Sequence, residues 1–264
     1  MSWEWAKEFF IRHADIFLRI MNERWHQAIE EAKWIIKILE ANDIFEGKIL
    51  DVMCGNGRHA VYLAEKGYRV VGVDICPLFI EDAKRKAARM NVDDNTTFIV
   101  GDFRELDNLV EKYGPFDAVI NFWTSIGYYG EKADYILFQK ARKVSRRGAI
   151  LILGDTLSKE NLLDKFSPFV YAEFNNLLVL HFMEYDPLES ILTDLWRFYD
   201  KRGNDWVYLT SVKVKLRVYS ISEIVRMLKE AGWNIIAAYD SIIGLTPLQR
   251  NSKINIVAKA INMT

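Results

Sequence analysis

Apolar residues change their period three times along the chain, and each change marks a different kind of element. Up to about residue 46, apolar positions such as Phe9, Ile16, Ile20 and then Trp34, Ile38 recur every three to four residues, the spacing of helices with one buried face. Short, nearly unbroken apolar runs follow at Ile49–Val52, Arg69–Asp74, Thr96–Gly101, Phe116–Asn121 and Ala149–Asp155. Between them lie helical stretches at Ala60–Lys66, Pro77–Met90, Glu105–Lys112 and Lys132–Val144. Strands without a polar face, each separated from the next by a helix, predict a parallel sheet covered on both sides. From about Asn176 to Val218 the period becomes two. Three long runs, "NNLLVLHFMEY", "SILTDLWRFYD" and "DWVYLTSVKVKLRVY", are joined by turn residues and read as an antiparallel meander. Val212, Val214, Leu216 and Val218 alternate with Lys213, Lys215 and Arg217, so one face of the meander is expected to be wet. "SISEIVRMLKEAG" then reads as a helix capped by Ser220 or Ser222 and ended by Gly232, and "WNIIAAYD" and "INIVAKAI" as two closing strands. The expected organisation is an N-terminal helical cap at 1–46, an α/β core at 47–158 and 219–264, and a substrate-side insertion at 159–218.

Composition narrows this picture. The 264 residues, half of them hydrophobic, suffice for one sizeable core, and a formal net charge of -1 gives no global field to recruit nucleic acid or anionic membrane. The basic clusters at Lys140–Lys143 with Arg146–Arg147, and at Lys213–Arg217, read as solvated faces. Cys54 and Cys76 are too few for a disulfide framework and lack zinc-ligand spacing, so reduced thiols and no metal are expected. No apolar run reaches the roughly 18 residues of a membrane span. Glu4, Glu8 and Asp15 do not suit a signal or transit peptide, and a cytoplasmic location is the expectation.

The chemistry concentrates at the first strand's end. Gly55 and Gly57 sit at a helix entrance, where a missing side chain lets backbone approach a ligand. Asp74 ends the second strand roughly 20 residues on, placed to accept bonds from both hydroxyls of a ribose. "GNGRHA" also fits the looser form of a dinucleotide fingerprint. A dinucleotide turn must hold a pyrophosphate, however, and the carboxylate of Asp51 would repel one. That carboxylate suits a ligand carrying an ammonium and a sulfonium, which points to S-adenosyl-L-methionine.

"ILDVMCGNGRHAVYLAEKGYRVVGVDI" resembles the first two motifs of class I S-adenosylmethionine-dependent methyltransferases, in the small-molecule branch whose turn reads CGxGRH. "VGDFREL" and "FDAVINFWTSIGYYG" match the motifs after the third strand and at the fourth, the latter often ending TSFGYF. The resemblance runs from about residue 45 to the end and implies a Rossmann-like seven-stranded sheet whose last strand lies antiparallel beside the sixth. It implies that Asp51, Cys54, Gly55, Asn56 and Gly57 line the methionine half of the cofactor. Asp74 would bind the ribose, Ile75 would pack on adenine, and Asp102 would accept from the adenine amine with Phe103 beside the ring. Asn121 and Phe122 would pass under the sulfonium. Ile126 replaces the common aromatic of "TSFGY", which loosens the substrate inference.

Methyl transfer is an in-line displacement, so alignment, dryness and sometimes removal of a proton are what the protein supplies. Tyr128 and Tyr129, past the fourth strand, are placed to orient an acceptor or share a proton, or else to form an aromatic wall. His181 in the meander is the third catalytic candidate; His59 and His13 also remain, each with a structural alternative. Arg58 and Arg197 are candidate partners for an acidic group. Trp3, Trp5, Phe9 and Phe10 give the first helix an apolar stripe that serves as a lid or as plain core. The expected activity is methylation of a nitrogen or oxygen of a small molecule, with a homodimer as a further possibility. The rivals are a nicotinamide dehydrogenase, a protein or RNA methyltransferase, and a cofactor-binding module without turnover.

Overall fold

A computed structural model describes residues 4–261; Trp3, counted above in the first helix's stripe, lies outside them. The chain opens with α1 (Glu4–Lys7), which passes into a π-helical turn at Glu8–Arg12, followed by α2 (Ala14–Glu23) and α3 (Gln27–Glu40). The α/β alternation then runs β1 (Lys48–Val52), α4 (Arg58–Glu65), β2 (Arg69–Asp74), α5 (Pro77–Arg89), β3 (Thr96–Val100), α6 (Leu106–Val110), β4 (Phe116–Phe122), α7 (Glu131–Lys143) and β5 (Ser145–Thr156). A short helix, α8 (Lys159–Asp164), leads into β6 (Phe169–Phe174), β7 (Leu177–Asp186), β8 (Ile191–Arg202) and β9 (Asp205–Arg217). The chain closes with α9 (Ile221–Glu230), β10 (Trp233–Ser241), β11 (Thr246–Pro247) and β12 (Ile254–Ala260).

The main sheet has the order β11-β10-β12-β5-β4-β1-β2-β3. β3, β2, β1, β4 and β5 pair in parallel, and β12 lies antiparallel between β5 and β10. The expected seven strands are thus present, and the two-residue β11 makes an eighth at the edge. The insertion forms a separate antiparallel sheet of order β6-β7-β8-β9. It has four strands rather than the three expected, because "FVYAEF" at Phe169–Phe174 pairs with β7 despite an exposed outer side.

Apolar strands explain the two layers of core. Ile49, Ile120, Ile152 and Val257 face α3, α4 and α5 through Ile35, Leu39, Val61, Leu63, Ile80 and Ala83. Leu50, Val119, Leu151 and Ile256 face α6, α7 and α9 through Leu106, Leu137, Phe138, Ile224 and Leu228. The α9 helix starts with Ser220, whose hydroxyl accepts from Glu223 N–H while the Glu223 carboxylate accepts from Ser220 N–H, a reciprocal capping box. In the second sheet the alternation is as expected: Val212, Val214 and Leu216 are buried and Lys213 and Lys215 exposed. The inner face of that sheet, with Leu177, Val179 and Phe198, packs on Phe9, Ile16, Phe17 and Ile20 of the N-terminal helices. Those helices also touch Cys76 and Phe79 of the core, so they lie between the two sheets. Arg19 holds Asp200 at 2.9 Å, and Asn175 donates to Glu23, fastening α2 to the second sheet.

Candidate active site

The register of the parallel strands gathers the candidate residues. Asp51 pairs with Gly72 on β2 and Ile120 on β4, so the carboxyl ends of β1, β2 and β4 come together. Beyond β1 the chain turns sharply through Met53, Cys54, Gly55 and Asn56 into α4. Gly57 caps α4 at φ 72°, and a side chain there would meet Ala83 at 2.8 Å and the Phe98 ring at 2.9 Å. Gly57 therefore permits the close packing of α4 on its neighbours. Asp74 accepts from Gly55 N–H at 2.8 Å and from Cys76 N–H at 2.9 Å, which pins the turn to the end of β2.

A cavity opens at this point. Its wall includes Asp51, Cys54, Gly55, Asn56, Asp74, Ile75, Asp102, Phe103, Phe122, Tyr128 and Tyr129. Of the sequence-derived cofactor set, Gly57 and Asn121 stand back from it. Gly57 is turned into helix packing, and Asn121 uses its amide to donate to Val52 C=O at 2.7 Å, tying β4 to β1. Phe17 and Met21 of α2, Phe79 of α5, and Trp123 also line it and were missed in the sequence. Nothing local marks Phe17 and Met21, because α2 is remote in sequence from the strand ends it covers. Asn22 of α2 accepts from Asn56 at 3.1 Å and from Lys86 at 2.5 Å, which holds α2 over the turn.

The electrostatics are acidic and dry. Asp51 is 2% exposed, and one of its carboxylate oxygens has no hydrogen-bond partner among the described residues. Burial, reinforced by Asp74 nearby and opposed by Arg58, pushes its carboxyl up to about 8. Burial pushes Asp74 up to about 6 against the backbone N–H groups it accepts from. Asp102 behaves differently. Partial burial works against its ionisation, but Arg104, whose Nε lies at 2.9 Å and 3.0 Å from its two oxygens, outweighs that and holds the carboxyl below its ordinary value. Asp102 also caps the turn at Phe103–Glu105 by accepting from Arg104 N–H at 2.9 Å. Cys54 is buried with its thiol pushed up by burial, unsuited to act as a nucleophile at neutral pH.

Arg58 lines the cavity, lies over the Trp123 ring at 5.3 Å and approaches Glu31 at 3.6 Å. His59 is tied at 2.5 Å to Glu31, and burial lowers its proton affinity. His13 lies 3.7 Å from Glu8, away from the cavity wall, and Arg197 is exposed above the Phe182 ring.

A second cavity lies between the N-terminal helices and the second sheet. It shares Phe10, Phe17, Trp123, Thr124 and Tyr128 with the first, so these residues are a wall common to both. Trp123 sits at φ 69°, a costly conformation for a bulky side chain. Its N–H donates to Gly154 C=O at 2.9 Å and its C=O accepts from Thr156 at 3.0 Å, which fixes it there. Tyr128 packs edge-on against Trp5 at 5.2 Å and against Phe10 at 5.3 Å, and burial raises its hydroxyl well above the ordinary value. Its loop is held by Asp134, which accepts from Gly127 N–H at 3.0 Å and from the Tyr219 hydroxyl at 2.7 Å. Tyr129 faces the first cavity only, between Phe103 and Arg104, and burial pushes it up to about 12. His181 lines the second cavity, where its Nδ1 meets Asp194 at 2.9 Å.

Residues 49–148 match a family described as a methyltransferase domain. The core has the Rossmann-like methyltransferase fold. Its fold aligns with a crystal structure of a S-adenosylmethionine-dependent methyltransferase from Clostridium acetobutylicum ATCC 824, TM-score 0.76 and 15% identity, over 88% of this chain and 92% of that one. It also aligns with the sugar N-methyltransferase KedS8 from Streptoalloteichus sp ATCC 53650, TM-score 0.70 and 18% identity, over 94% and 93%. Among curated proteins, 142 residues are 31% identical to the putative methyltransferase YqeM of Bacillus subtilis, covering 53% of each chain; shorter matches include RNA methyltransferases. The chain spans about half, or less, of the length of the first curated relatives it matches.

The core fits S-adenosylmethionine on its own geometry. Among the described residues, a buried carboxylate oxygen of Asp51 and a buried amide oxygen of Asn56 lack partners, in a cavity whose wall also holds the Arg58 guanidinium, Asp74, Asp102 and several rings. Such acceptors are satisfied by a ligand that donates and carries positive charge, as the ammonium and sulfonium of S-adenosylmethionine do. Asp51 and Asn56 would hold its amino-acid end, Asp74 its ribose, and Asp102 with Ile75 and Phe103 its base. No helix among the described residues is long and apolar enough to cross a membrane.

Proposed function

We propose that the protein moves the methyl group of S-adenosylmethionine to a nitrogen or oxygen of a small molecule held in the second cavity. When bound, the cofactor would supply an electrophilic methyl carbon on cationic sulfur, with Asp51 and Asn56 holding its amino-acid end and Asp74 its ribose. The residues of this chain bind, orient and exclude water. The observation that carries the reading is the unpartnered carboxylate oxygen of buried Asp51 in the first cavity. A pyrophosphate would set its negative charge against that carboxylate.

The wall common to both cavities supports transfer between them. Phe17 stacks on Trp123 at 5.7 Å, and Tyr128 lines both sides. Electron-rich ring faces favour a cationic sulfur while offering nothing to water. A cleft walled by apolar side chains suits a small acceptor better than a duplex or a folded RNA, which a chain of net charge -1 would not attract. The sugar N-methyltransferase likeness adds weight to a small acceptor.

The test is calorimetry with S-adenosylmethionine and with NAD, followed by transfer of labelled methyl to fractionated metabolites. Binding of the first ligand and labelling of a small product are expected. Binding of NAD alone would end this reading.

A further inference from the structure

Inside the second cavity a group of polar atoms stands among rings with too few partners. Asp194 is 6% exposed; one carboxylate oxygen meets His181 Nδ1 at 2.9 Å and the other has no hydrogen-bond partner among the described residues. The indole N–H groups of Trp5 and Trp196 are likewise buried and unpartnered. All four residues line this cavity. The second sheet puts them together: His181 on β7 pairs directly with Trp196 on β8, and Asp194 lies two residues before Trp196 on the same face. Trp196 meets the His181 ring edge-on at 4.4 Å and Phe9 at 5.0 Å.

A buried carboxylate without a full set of partners is costly, and its natural complement is a cation that also donates hydrogen bonds. The cavity wall contains one other charged group, Lys165, and that side chain is exposed and hydrated. Trp5, Phe9, Phe10, Tyr128 and Trp196 offer ring faces or edges around the same space. Rings with a carboxylate at the base form the surroundings that bind organic ammonium ions. The two indole N–H groups ask, in addition, for oxygen acceptors on the ligand.

We propose that the second cavity is an ammonium site and that the methyl acceptor is a compact amine carrying at least one accepting oxygen. This rests on the methyl-transfer reading above and narrows its nitrogen-or-oxygen acceptor to nitrogen. Asp194 takes the ammonium charge. Because its carboxylate can only accept, the tautomer of His181 that meets it carries its proton on Nδ1, which leaves Nε2 as the accepting nitrogen. One N–H proton of the ammonium passes to Nε2, the nitrogen keeps the electron pair of that bond, and the imidazolium formed remains beside the Asp194 carboxylate. The nitrogen then has the lone pair that attack requires, which an ammonium lacks. Asp194 is in part a positioning residue, acting on the amine both directly and through His181.

The experiment compares matched probes on the full chain loaded with S-adenosylhomocysteine: glucosamine against glucose, and tyramine against tyrosol, by calorimetry. Each amine is expected to bind about tenfold or more tighter than its alcohol, the scale of a charge-assisted bond with ring contacts. Asp194→Asn is expected to erase that ratio while S-adenosylhomocysteine affinity, read in the same titrations, stays unchanged. Trp196→Phe, which keeps the carboxylate, is expected to preserve the ratio. Equal binding of amine and alcohol by the unaltered protein would overturn the ammonium site, as would a ratio that survives Asp194→Asn. Failure of the chain to take S-adenosylhomocysteine at all would instead strike the methyl-transfer reading beneath it.

Discussion

The two cavities meet at one wall and are built in opposite ways. The first has a local floor: Asp51, Cys54, Gly55, Asn56, Asp74 and Ile75 come from one stretch of 25 residues, brought together by parallel strand register and by the bonds Asp74 accepts from Gly55 and Cys76. The second is assembled from afar, with Trp5, Phe9 and Phe10 from the first helices, Tyr128 from the loop after β4, and His181, Asp194 and Trp196 from the second sheet. Local construction makes a site that tolerates change elsewhere and fails abruptly when its own turn is altered. Assembly from several elements makes a site whose contents can be changed one wall at a time.

The largest effect that would test this contrast is Gly57→Val. It places a branched side chain against Ala83 and Phe98 at a positive φ, and we expect a loss of about 3 kcal/mol or more in a denaturant titration. A small change there would mean that the turn is more pliable than its packing implies. Asp74→Ala comes next. It removes the acceptor for Gly55 and Cys76 N–H groups and for a ribose, so S-adenosylmethionine affinity should fall by about 1–3 kcal/mol in calorimetry. Unchanged affinity would place the ribose elsewhere.

pH separates the cavities further. Asp51 near 8 and Asp74 near 6 both lie above the unfolded carboxyl value of about 4, so the folded chain holds more protons than the unfolded one between these limits. These two groups therefore make the ligand-free protein less stable as pH rises from about 4 through 8, and melting temperatures across that range check the sign. A cationic ligand reverses the preference at Asp51, so S-adenosylmethionine binding at pH 7 should release protons, visible as a buffer-dependent heat. No buffer dependence would detach Asp51 from the ligand.

Two smaller effects address the shared wall and the remote one. Tyr128→Phe keeps the ring that packs on Trp5 and Phe10, and should lower turnover about tenfold with cofactor affinity retained. Normal turnover would reduce Tyr128 to packing. Arg19→Ala breaks a part-exposed ion pair with Asp200, and should cost no more than about 1 kcal/mol in stability. A larger loss would show that the second sheet depends on α2 for its folding.

How much could be read from the chain follows the same division. The order of parallel strands, the turn and its acids were legible because apolar runs, glycines and carboxylates recur at short spacing in Lys48–Ile75. The second sheet was legible as a meander but not in its inward contents, since pairing register decides which residues meet. One signal was available there. In "SILTDLWRFYD", Asp194 falls in phase with Leu192, Trp196 and Phe198, so an acid occupies the apolar face. "FVYAEF" went unread as a strand because its outer side is not apolar in phase, and the roof made by Phe17 and Met21 leaves no local mark at all.

The common wall has a kinetic meaning. On the proposed reading, methyl donor and acceptor would reach it from opposite sides, so neither would have to vacate space for the other to load. Steady-state inhibition should show this directly: spent nucleoside competes against fresh nucleoside and leaves the apparent affinity for the acceptor in place.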